Sequence, residues 1–263
     1  MSGIPYVTKS WNPAVGCKEC SPGCAHCWAK RMAQRQRIEW GQVVTKPERL
    51  EQPLHWRKPQ IVAVGFMSDI ALWPDEFLDK VFAVMALTPQ HTYVLLTKRP
   101  ERMRGYLVGL ATDVQNWPLP TDKGSERIRV ATIIRSVATW PLPNVWLGCS
   151  VENQQAADER IPLLLEAPAA HRWVSVEPLL GPVDLHLYLP PYAGSGIDWV
   201  AVGGESGPHS RSMEQHWLAQ VLLDCNVAAV PAYAKQDSGP RPGMQGRIPD
   251  ALWAVKDLPE GWA

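Results

Sequence analysis

Four cysteines near the amino terminus are the residues of this sequence best suited to metal chemistry. Cys17, Cys20, Cys24 and Cys27 fall within eleven residues, and glycine, proline, serine and lysine lie between and beside them. Because such neighbours disfavour burial of the segment, four inert core cysteines explain the pattern poorly. Three thiolates on one loop can hold a [4Fe–4S] cluster and leave its fourth iron open to a ligand. The sequence therefore predicts an iron–sulfur site.

Zinc is the alternative metal, because four thiolates can also close a tetrahedral shell around one ion. Zinc ribbons, however, take their thiols from two pairs separated by a longer stretch, and this chain has all four close together. The spacing favours iron–sulfur and keeps zinc as the second interpretation. Cys149 and Cys225 lie far from the cluster and from each other. A secreted disulfide framework would be shorter and more evenly spaced, so we expect a reducing, cytoplasmic setting.

Polar and charged residues stand where six apolar runs of the sequence end. Each run has four to eight mostly β-branched or aromatic residues without polar alternation, which is typical of buried parallel strands. The predicted strands are residues 60–67, 91–97, 144–150, 171–176, 198–203 and 227–234, with a shorter candidate at 6–11. The carboxyl ends of parallel strands converge on one face of the sheet, and ligands bind there. We therefore expect one binding site at that face.

The residues at these strand ends are candidates to bind a polar, zwitterionic ligand. They are Ser68, Asp69, Lys98, Ser150, Glu152, Asn153, Glu177, Gly204 and Glu205, together with Lys235. A glycine pair, Gly203-Gly204, would let the backbone approach a ligand closely. Loops are commonly polar, and each charged residue here has a competing interpretation as half of a salt bridge at the mouth of the fold.

The segments between the strands predict an α/β fold. Residues 74–87, 154–165 and 213–223 carry apolar positions at helical spacing, and a further helix is expected at 29–37, after the cysteines. Strand–helix alternation repeated six or seven times indicates a parallel sheet. The chain is of ordinary length for one α/β barrel and shows no linker, so we predict a single domain over residues 1–263. Residues 105–143 are expected to form an irregular insertion, as a lid or an edge.

Charge and hydropathy limit the classes of partner. The 26 basic and 26 acidic side chains cancel, so no global field marks a nucleic-acid coat or a membrane binder. The sequence contains no run of eighteen apolar residues, so no membrane span is predicted, and the amino terminus does not have the pattern of a signal peptide. Residues 30–58 hold eight basic and three acidic side chains, a local net charge of plus five. This segment is either a solvated surface or a contact for nucleic acid.

Several segments together resemble a known family. They are residues 11–29, 66–69, 86–103 (ALTPQHTYVLLTKRPERM), 145–153, 175–184 (SVEPLLGPVD) and 202–207 (VGGESG). They are similar to a family of phage and prophage proteins that is regarded as radical-SAM-like, and the resemblance covers nearly the whole chain. It implies a partial (β/α) TIM-type barrel, a [4Fe–4S] cluster and S-adenosylmethionine. It also implies a 5′-deoxyadenosyl radical acting on an unassigned substrate, with nucleic acid or nucleotide modification among the options.

The resemblance leaves two possible sets of cluster ligands. The radical-SAM superfamily spacing matches Cys20-x3-Cys24-x2-Cys27, with the aromatic Trp28 as a shield against water. The phage family instead matches Cys17, Cys24 and Cys27 and has an apolar residue where this chain has Cys20. A non-catalytic module that binds zinc or a cluster through these cysteines is the alternative function. A partner protein is compatible with either.

The resemblance also implies roles for the strand-end residues. Ser68 and Asp69 would contact the ammonium group of S-adenosylmethionine, since the superfamily uses the loop after the second strand for this purpose. The ribose hydroxyls would be held by Ser150, Glu152 and Asn153. Glu177 and Glu205 would be further ligands for cofactor or substrate, and Lys98 and Lys235 would orient a carboxylate or phosphate.

Overall fold

The computed structural model describes residues 4–116, 126–191 and 196–262, with residues 116 and 126–129 described by their backbone alone. The strands are β1 (Lys9–Trp11), β2 (Ala14–Val15), β3 (Val44–Thr45), β4 (Ile61–Val64), β5 (Thr92–Thr97), β6 (Val145–Val151), β7 (His171–Val176), β8 (Trp199–Gly203) and β9 (Ala232–Gln236). The helices are α1 (Trp28–Arg35), α2 (Asp75–Leu87), α3 (Pro100–Asn116), α4 (Glu126–Val137), α5 (Gln154–Leu165), α6 (Gln215–Val227) and α7 (Asp250–Trp253).

Seven of the strands form one parallel sheet that curls into a half-barrel. Their order is β1-β4-β5-β6-β7-β8-β9, and every neighbouring pair is parallel. The curled sheet stays open, since within the described ranges β1 and β9 are its edges rather than partners of each other. Parallel strands joined by helices bring all carboxyl ends to one face. The predicted α/β class and partial barrel are confirmed.

The sequence misplaces the last strand and the helix before it. It predicts a helix at 213–223 and a strand at 227–234, whereas α6 continues to Val227 and β9 begins only at Ala232. The turn between them contains Ala229 in the left-handed region at φ 55°. Val227 is exposed, so its apolar side chain is not part of the core. Because the sequence shows only that the residue is apolar, the predicted strand begins too early, at the end of the preceding helix.

Tryptophans fill the concave side of the half-barrel. Trp146, Trp173 and Trp199 come from three adjacent strands, and Trp262 from the carboxyl-terminal segment packs on the first and last of them at ring distances of 5.1 and 4.8 Å. The indole of Trp173 lies over Gly148, where a Cβ atom would come within 2.3 Å of its Nε1. An open barrel has fewer strands to fill its interior, and large aromatic side chains supply the missing volume. Four of the thirteen tryptophans of the sequence therefore pack together on this side of the sheet.

Helices α2 to α6 cover the convex side and bury the main apolar core. Residues 105–143 were predicted to be an irregular insertion, which is wrong for most of their length. The structure has α3 and α4 there, with α4 packed against α2 and α3 against α5, and leaves 117–125 outside the described residues. Ile134, fully buried, anchors α4 to the core. No helix in the described ranges is long and apolar enough to cross a membrane.

A short antiparallel pair holds the cysteine segment at the carboxyl-end face of the sheet. β2 pairs with β3, so the two ends of the chain segment between these strands lie side by side. Gly16 follows β2 at φ +87°, and a Cβ atom there would lie 1.9 Å from the carbonyl oxygen of Gln42. Only glycine meets both conditions. Cys17 therefore leaves the strand pair at a fixed point, directly above the main sheet.

Candidate functional site

A cavity opens at the carboxyl ends of the parallel strands, beneath the cysteine segment. Its empty volume is about 1140 Å³, including the solvent space at its open mouth. The predicted site residues that line it are Cys17, Cys20, Cys24, Cys27, Ser68, Asp69, Lys98, Ser150, Glu177, Gly204, Glu205 and Lys235. The structure thus brings nearly all predicted candidates to one site.

The four thiols of the segment are free and line the same cavity, whereas Cys149 and Cys225 are buried in the helical core. A hydrogen bond from Cys20 lowers the pKa of Cys24 to about 5, with further help from backbone donors and from the charge of Lys98. Burial raises the pKa of Cys17 to about 11, and the charge of Asp69 adds to the effect. Of Cys17 and Cys24, it is therefore Cys24 that is ionised to a thiolate at neutral pH.

The thiols fit an iron–sulfur cluster by their chemistry rather than by a preformed geometry. Within the described part of the chain, no three His, Cys, Asp or Glu side chains are grouped closely enough to hold a metal ion as they stand. Sulfur ligands from a single loop suit iron–sulfur clusters, and metal binding often draws its ligands together. Cys20 and Cys24 approach each other on one part of the loop, and Cys17 lies close enough to Cys27 to sense its charge.

The difference between Cys24 and Cys17 predicts their order of alkylation in the reduced, metal-free protein. At pH 7 Cys24 is largely thiolate and Cys17 is largely protonated, and the weaker nucleophilicity of a low-pKa thiolate offsets only part of this difference. Iodoacetamide labelling followed by peptide mass spectrometry should find Cys24 modified first, at least about tenfold faster. In Cys20→Ala, which loses the donor, labelling of Cys24 at pH 6 should slow. Equal rates in the folded wild-type protein would contradict the assignment.

Two arginines hold the cysteine segment from either side. Arg99 donates from Nη1 to Oδ2 of Asp69 at 2.7 Å and from Nη2 to the carbonyl oxygen of Lys18 at 2.6 Å. Arg211 pairs with both oxygens of Glu205 and donates from Nη2 to the carbonyl oxygen of Pro22 at 3.0 Å. Each arginine therefore acts as a clamp, because it joins a buried carboxylate at a strand end to the backbone of the cysteine segment.

Glu205, the second of the two carboxylates, also has a partner within the cysteine segment. Besides Arg211, it lies 2.8 Å from Nδ1 of His26, which stands between Cys24 and Cys27. Burial acts to raise the pKa of Glu205, but the hydrogen bonds from Arg211 and His26 outweigh it and lower the pKa to about 2. The carboxylate is therefore ionised at any physiological pH, and it ties the second half of the cysteine segment to β8.

A third ion-pair group lies directly under the cysteine segment. Lys98 donates to Ser150 Oγ at 3.0 Å and to Glu152 Oε2 at 2.9 Å, and Arg160 of α5 donates to the same carboxylate oxygen. Burial acts to raise the pKa of Glu152, but Lys98, Ser21 and Arg160 lower it to about 2. At Gly23 a Cβ atom would come within 3.0 Å of the Lys98 ammonium nitrogen. The cysteine segment therefore packs at Gly23 directly against the Lys98–Glu152 ion pair.

Three of the predicted ligand residues have contacts within the fold. Asp69 lines the cavity, but its two carboxylate oxygens accept four hydrogen bonds, from Ala71 N, Thr97 Oγ1, Lys98 N and Arg99. Glu152 is buried beneath Lys98 and does not line the cavity. Asn153 caps α5 by accepting from Ala156 N at 2.9 Å and does not line the cavity either. Their roles as cofactor ligands stay predictions.

Gly204 and Ser68 also serve the fold. A Cβ atom at Gly204 would lie 2.4 Å from Ser238 N, so this glycine makes room for the neighbouring loop rather than for a ligand. Ser68 accepts a hydrogen bond from Trp73 Nε1 at 3.0 Å and still borders the cavity. The polar residues at the strand ends are therefore of two kinds. Some of them build the cavity, and others face into it.

The arginines were not predicted from the sequence, and neither was the apolar wall of the cavity apart from Trp28. Arg99 stands at a strand end beside Lys98, so the same pattern could have found it, but Arg211 and His26 lie in irregular loops that give no such signal. Aromatic and aliphatic residues cover the remaining cavity wall. They are Ile4, Tyr6, Trp28, Trp40, Phe66 and Leu96.

The basic segment 30–58 is partly used inside the fold. Lys30 pairs with Glu19, Arg31 donates to the Ser206 carbonyl at 3.2 Å, and Arg49 donates to the Asn12 carbonyl. Arg35 and Arg57 are exposed. The surface interpretation of this charge run therefore gains support for the residues that have partners, and contact with nucleic acid stays a prediction.

Comparison with known proteins gives one match. The sequence model of a family described as "Protein of unknown function (DUF5131)" matches residues 1–247. No curated protein and no solved structure matches the chain.

Proposed function

We propose that this chain, which belongs to the DUF5131 family, is an iron–sulfur enzyme of the radical S-adenosylmethionine type. One observation carries the proposal above the others. Four free thiols of a single loop line the mouth of a cavity at the carboxyl-end face of a parallel half-barrel. Thiolates from one loop suit a [4Fe–4S] cluster, and the carboxyl-end face is where such barrels bind their ligands.

Cys24 and Cys27, with Cys17 or Cys20, would hold the cluster, which would supply the electron for reductive cleavage of S-adenosylmethionine. The chain's own residues have other tasks. Arg99 and Arg211 position the loop that carries the thiols. Trp28 and Trp40 border the thiols on the cavity wall and limit access of water.

The positive charges around the thiols support the same proposal. Lys98 and Arg99 line the cavity, and Arg211 contacts the backbone of the loop. Each of the three also pairs with a carboxylate. A cluster ligated by three thiolates carries net negative charge, and nearby cations stabilise it in a site of low dielectric constant. The cations therefore have a use beyond holding the loop.

Anaerobic turnover tests the proposal. Reconstituted protein given a strong reductant and S-adenosylmethionine should release 5′-deoxyadenosine and methionine, even without substrate, in a slow uncoupled reaction. Cys24→Ala treated identically is the matched control and should release neither above background. Liquid chromatography with mass spectrometry measures both products. Equal background levels from the wild type and the variant would reject the radical chemistry.

A further inference from the structure

The Lys235–Glu177 ion pair on the concave wall differs from the other ion pairs of the site. The Lys235 ammonium donates to both oxygens of Glu177, at 2.8 and 2.7 Å, and both side chains line the cavity. They are 14% and 18% exposed, so water reaches them mainly through the cavity. The pair joins the ends of β7 and β9 across β8, which lies between them.

The other pairs each hold a part of the fold. Asp69–Arg99 and Glu205–Arg211 grip the cysteine loop, and Glu152 is shared between Lys98 and Arg160 of a helix. In the described ranges, Lys235 has hydrogen bonds to Glu177 alone, and the Glu177 carboxylate has one further donor, Gln236 at 3.2 Å. This pair holds no loop and no helix.

A small residue lies beside the pair on the cavity wall. On the concave side, Ser175 precedes Glu177 by two positions on the same face of β7 and also lines the cavity. Below them lies the tryptophan layer of Trp173 and Trp199, which forms a rigid floor. The ion pair therefore sits on an uncrowded stretch of the wall, where a ligand can reach both members.

We propose that Lys235 and Glu177 form a second binding subsite of the cavity, which takes the zwitterionic head group of an α-amino acid. The reason is electrostatic. A ligand with one charge only would leave the opposite member of a largely buried pair without a partner, and that loss is costly. A zwitterion offers a carboxylate to Lys235 and an ammonium to Glu177, so each charge exchanges one partner for another.

The neighbouring wall indicates the kind of side chain that such an amino acid would carry. Tyr6, Phe66 and Leu96 line the cavity with apolar surface. An amino acid with an apolar or aromatic side chain would bury that surface and remove it from water, which favours binding. The subsite rests on the cavity alone, and it does not require the cluster proposed above.

Binding of matched probes to the reduced, metal-free protein, measured by calorimetry and tryptophan fluorescence, tests the subsite. L-phenylalanine should bind at least about tenfold more tightly than phenylacetate or phenethylamine, which each carry one of its two charges, because a charged hydrogen bond is worth that factor or more. Equal binding of the three probes would overturn the proposal. Tighter binding of adenosine that also depends on the pair would overturn it in favour of a nucleoside site.

The double variant Lys235→Met/Glu177→Gln removes both charges and keeps the approximate shape, so it should fold where a single variant would leave a charge unpaired. We expect it to melt near the wild type and to lose phenylalanine affinity about tenfold or more. Arg102→Met/Asp75→Asn, which removes an exposed pair outside the cavity, is the matched control and should bind normally. Unchanged affinity in the cavity variant would overturn the proposal.

Competition separates this subsite from the proposed cofactor site. In reconstituted protein, saturating S-adenosylmethionine should leave phenylalanine binding intact. Full competition would show that the pair serves the cofactor's methionyl group, and the second subsite would fall. If no cluster forms at all, binding of phenylalanine to the metal-free protein still decides the subsite independently.

Discussion

Cys24→Ala and Cys27→Ala should each emerge from anaerobic reconstitution without a cluster, while the wild-type protein carries about four irons per chain. Both residues belong to each of the two ligand sets that the sequence allows, and both thiols line the cavity. Because both ligand sets contain these two residues, the loss of either leaves only two thiolates of each set to hold the cluster. Iron and sulfide analysis with visible absorbance measures the effect.

The remaining two cysteines decide between the ligand sets. If Cys17 is the third ligand, Cys17→Ala loses the cluster and Cys20→Ala keeps it, and the reverse holds if Cys20 is the ligand. The structure gives both a place at the cavity. Cys225→Ala, in α6 and away from the cavity, is the control and should retain full iron. Iron retained in Cys24→Ala or Cys27→Ala would contradict the proposed site.

Asp69→Asn should destabilise the protein strongly, by about 3 kcal/mol or more, because removing one partner of a buried ion pair leaves the other uncompensated. Asp69 is 7% exposed, and its carboxylate binds Arg99 and two donors of the adjoining β5 end. For a chain of this size the loss corresponds to a fall in melting temperature of roughly 6–12 °C. Differential scanning calorimetry of the metal-free protein is the measurement.

A second variant separates charge from shape at this position. Asp69→Asn/Arg99→Met removes both charges, so part of the lost stability should return even though the clamp on the Lys18 carbonyl is gone. The resemblance to radical-SAM-like proteins implies a different outcome, with Asp69 as a ligand of the S-adenosylmethionine ammonium. A melting temperature unchanged within a degree or two, with weakened cofactor affinity, would favour that role and contradict the clamp.

The sequence predicted the sheet well because its strands are buried on both faces. Runs such as 144–150 are mostly apolar, and β6 has every residue buried. The start of β9 was harder, since the exposed Val227 continues an apolar run without being part of the sheet. Local composition identifies a buried strand, but it does not show where burial begins.

The candidate site was predicted in its location more than in its roles. Strand ends converge for topological reasons, so the sequence alone places Ser150, Glu177 and Glu205 together. Their pairings could not be assigned in the same way, because convergence at one face does not show which strand-end residue contacts which, and Arg211 lies in a loop. Asn153 is the exception. An asparagine directly before a helix is a recognised capping signal, and that pattern was available from the sequence.

Metal analysis of protein purified and reconstituted without oxygen tests the iron–sulfur proposal most directly. We predict about four irons and four sulfides per chain, with the broad visible absorbance of a [4Fe–4S] cluster that bleaches on reduction. Stoichiometric zinc bound by the same cysteines, with no visible absorbance and no iron uptake, would contradict the proposal and assign the loop to a structural metal.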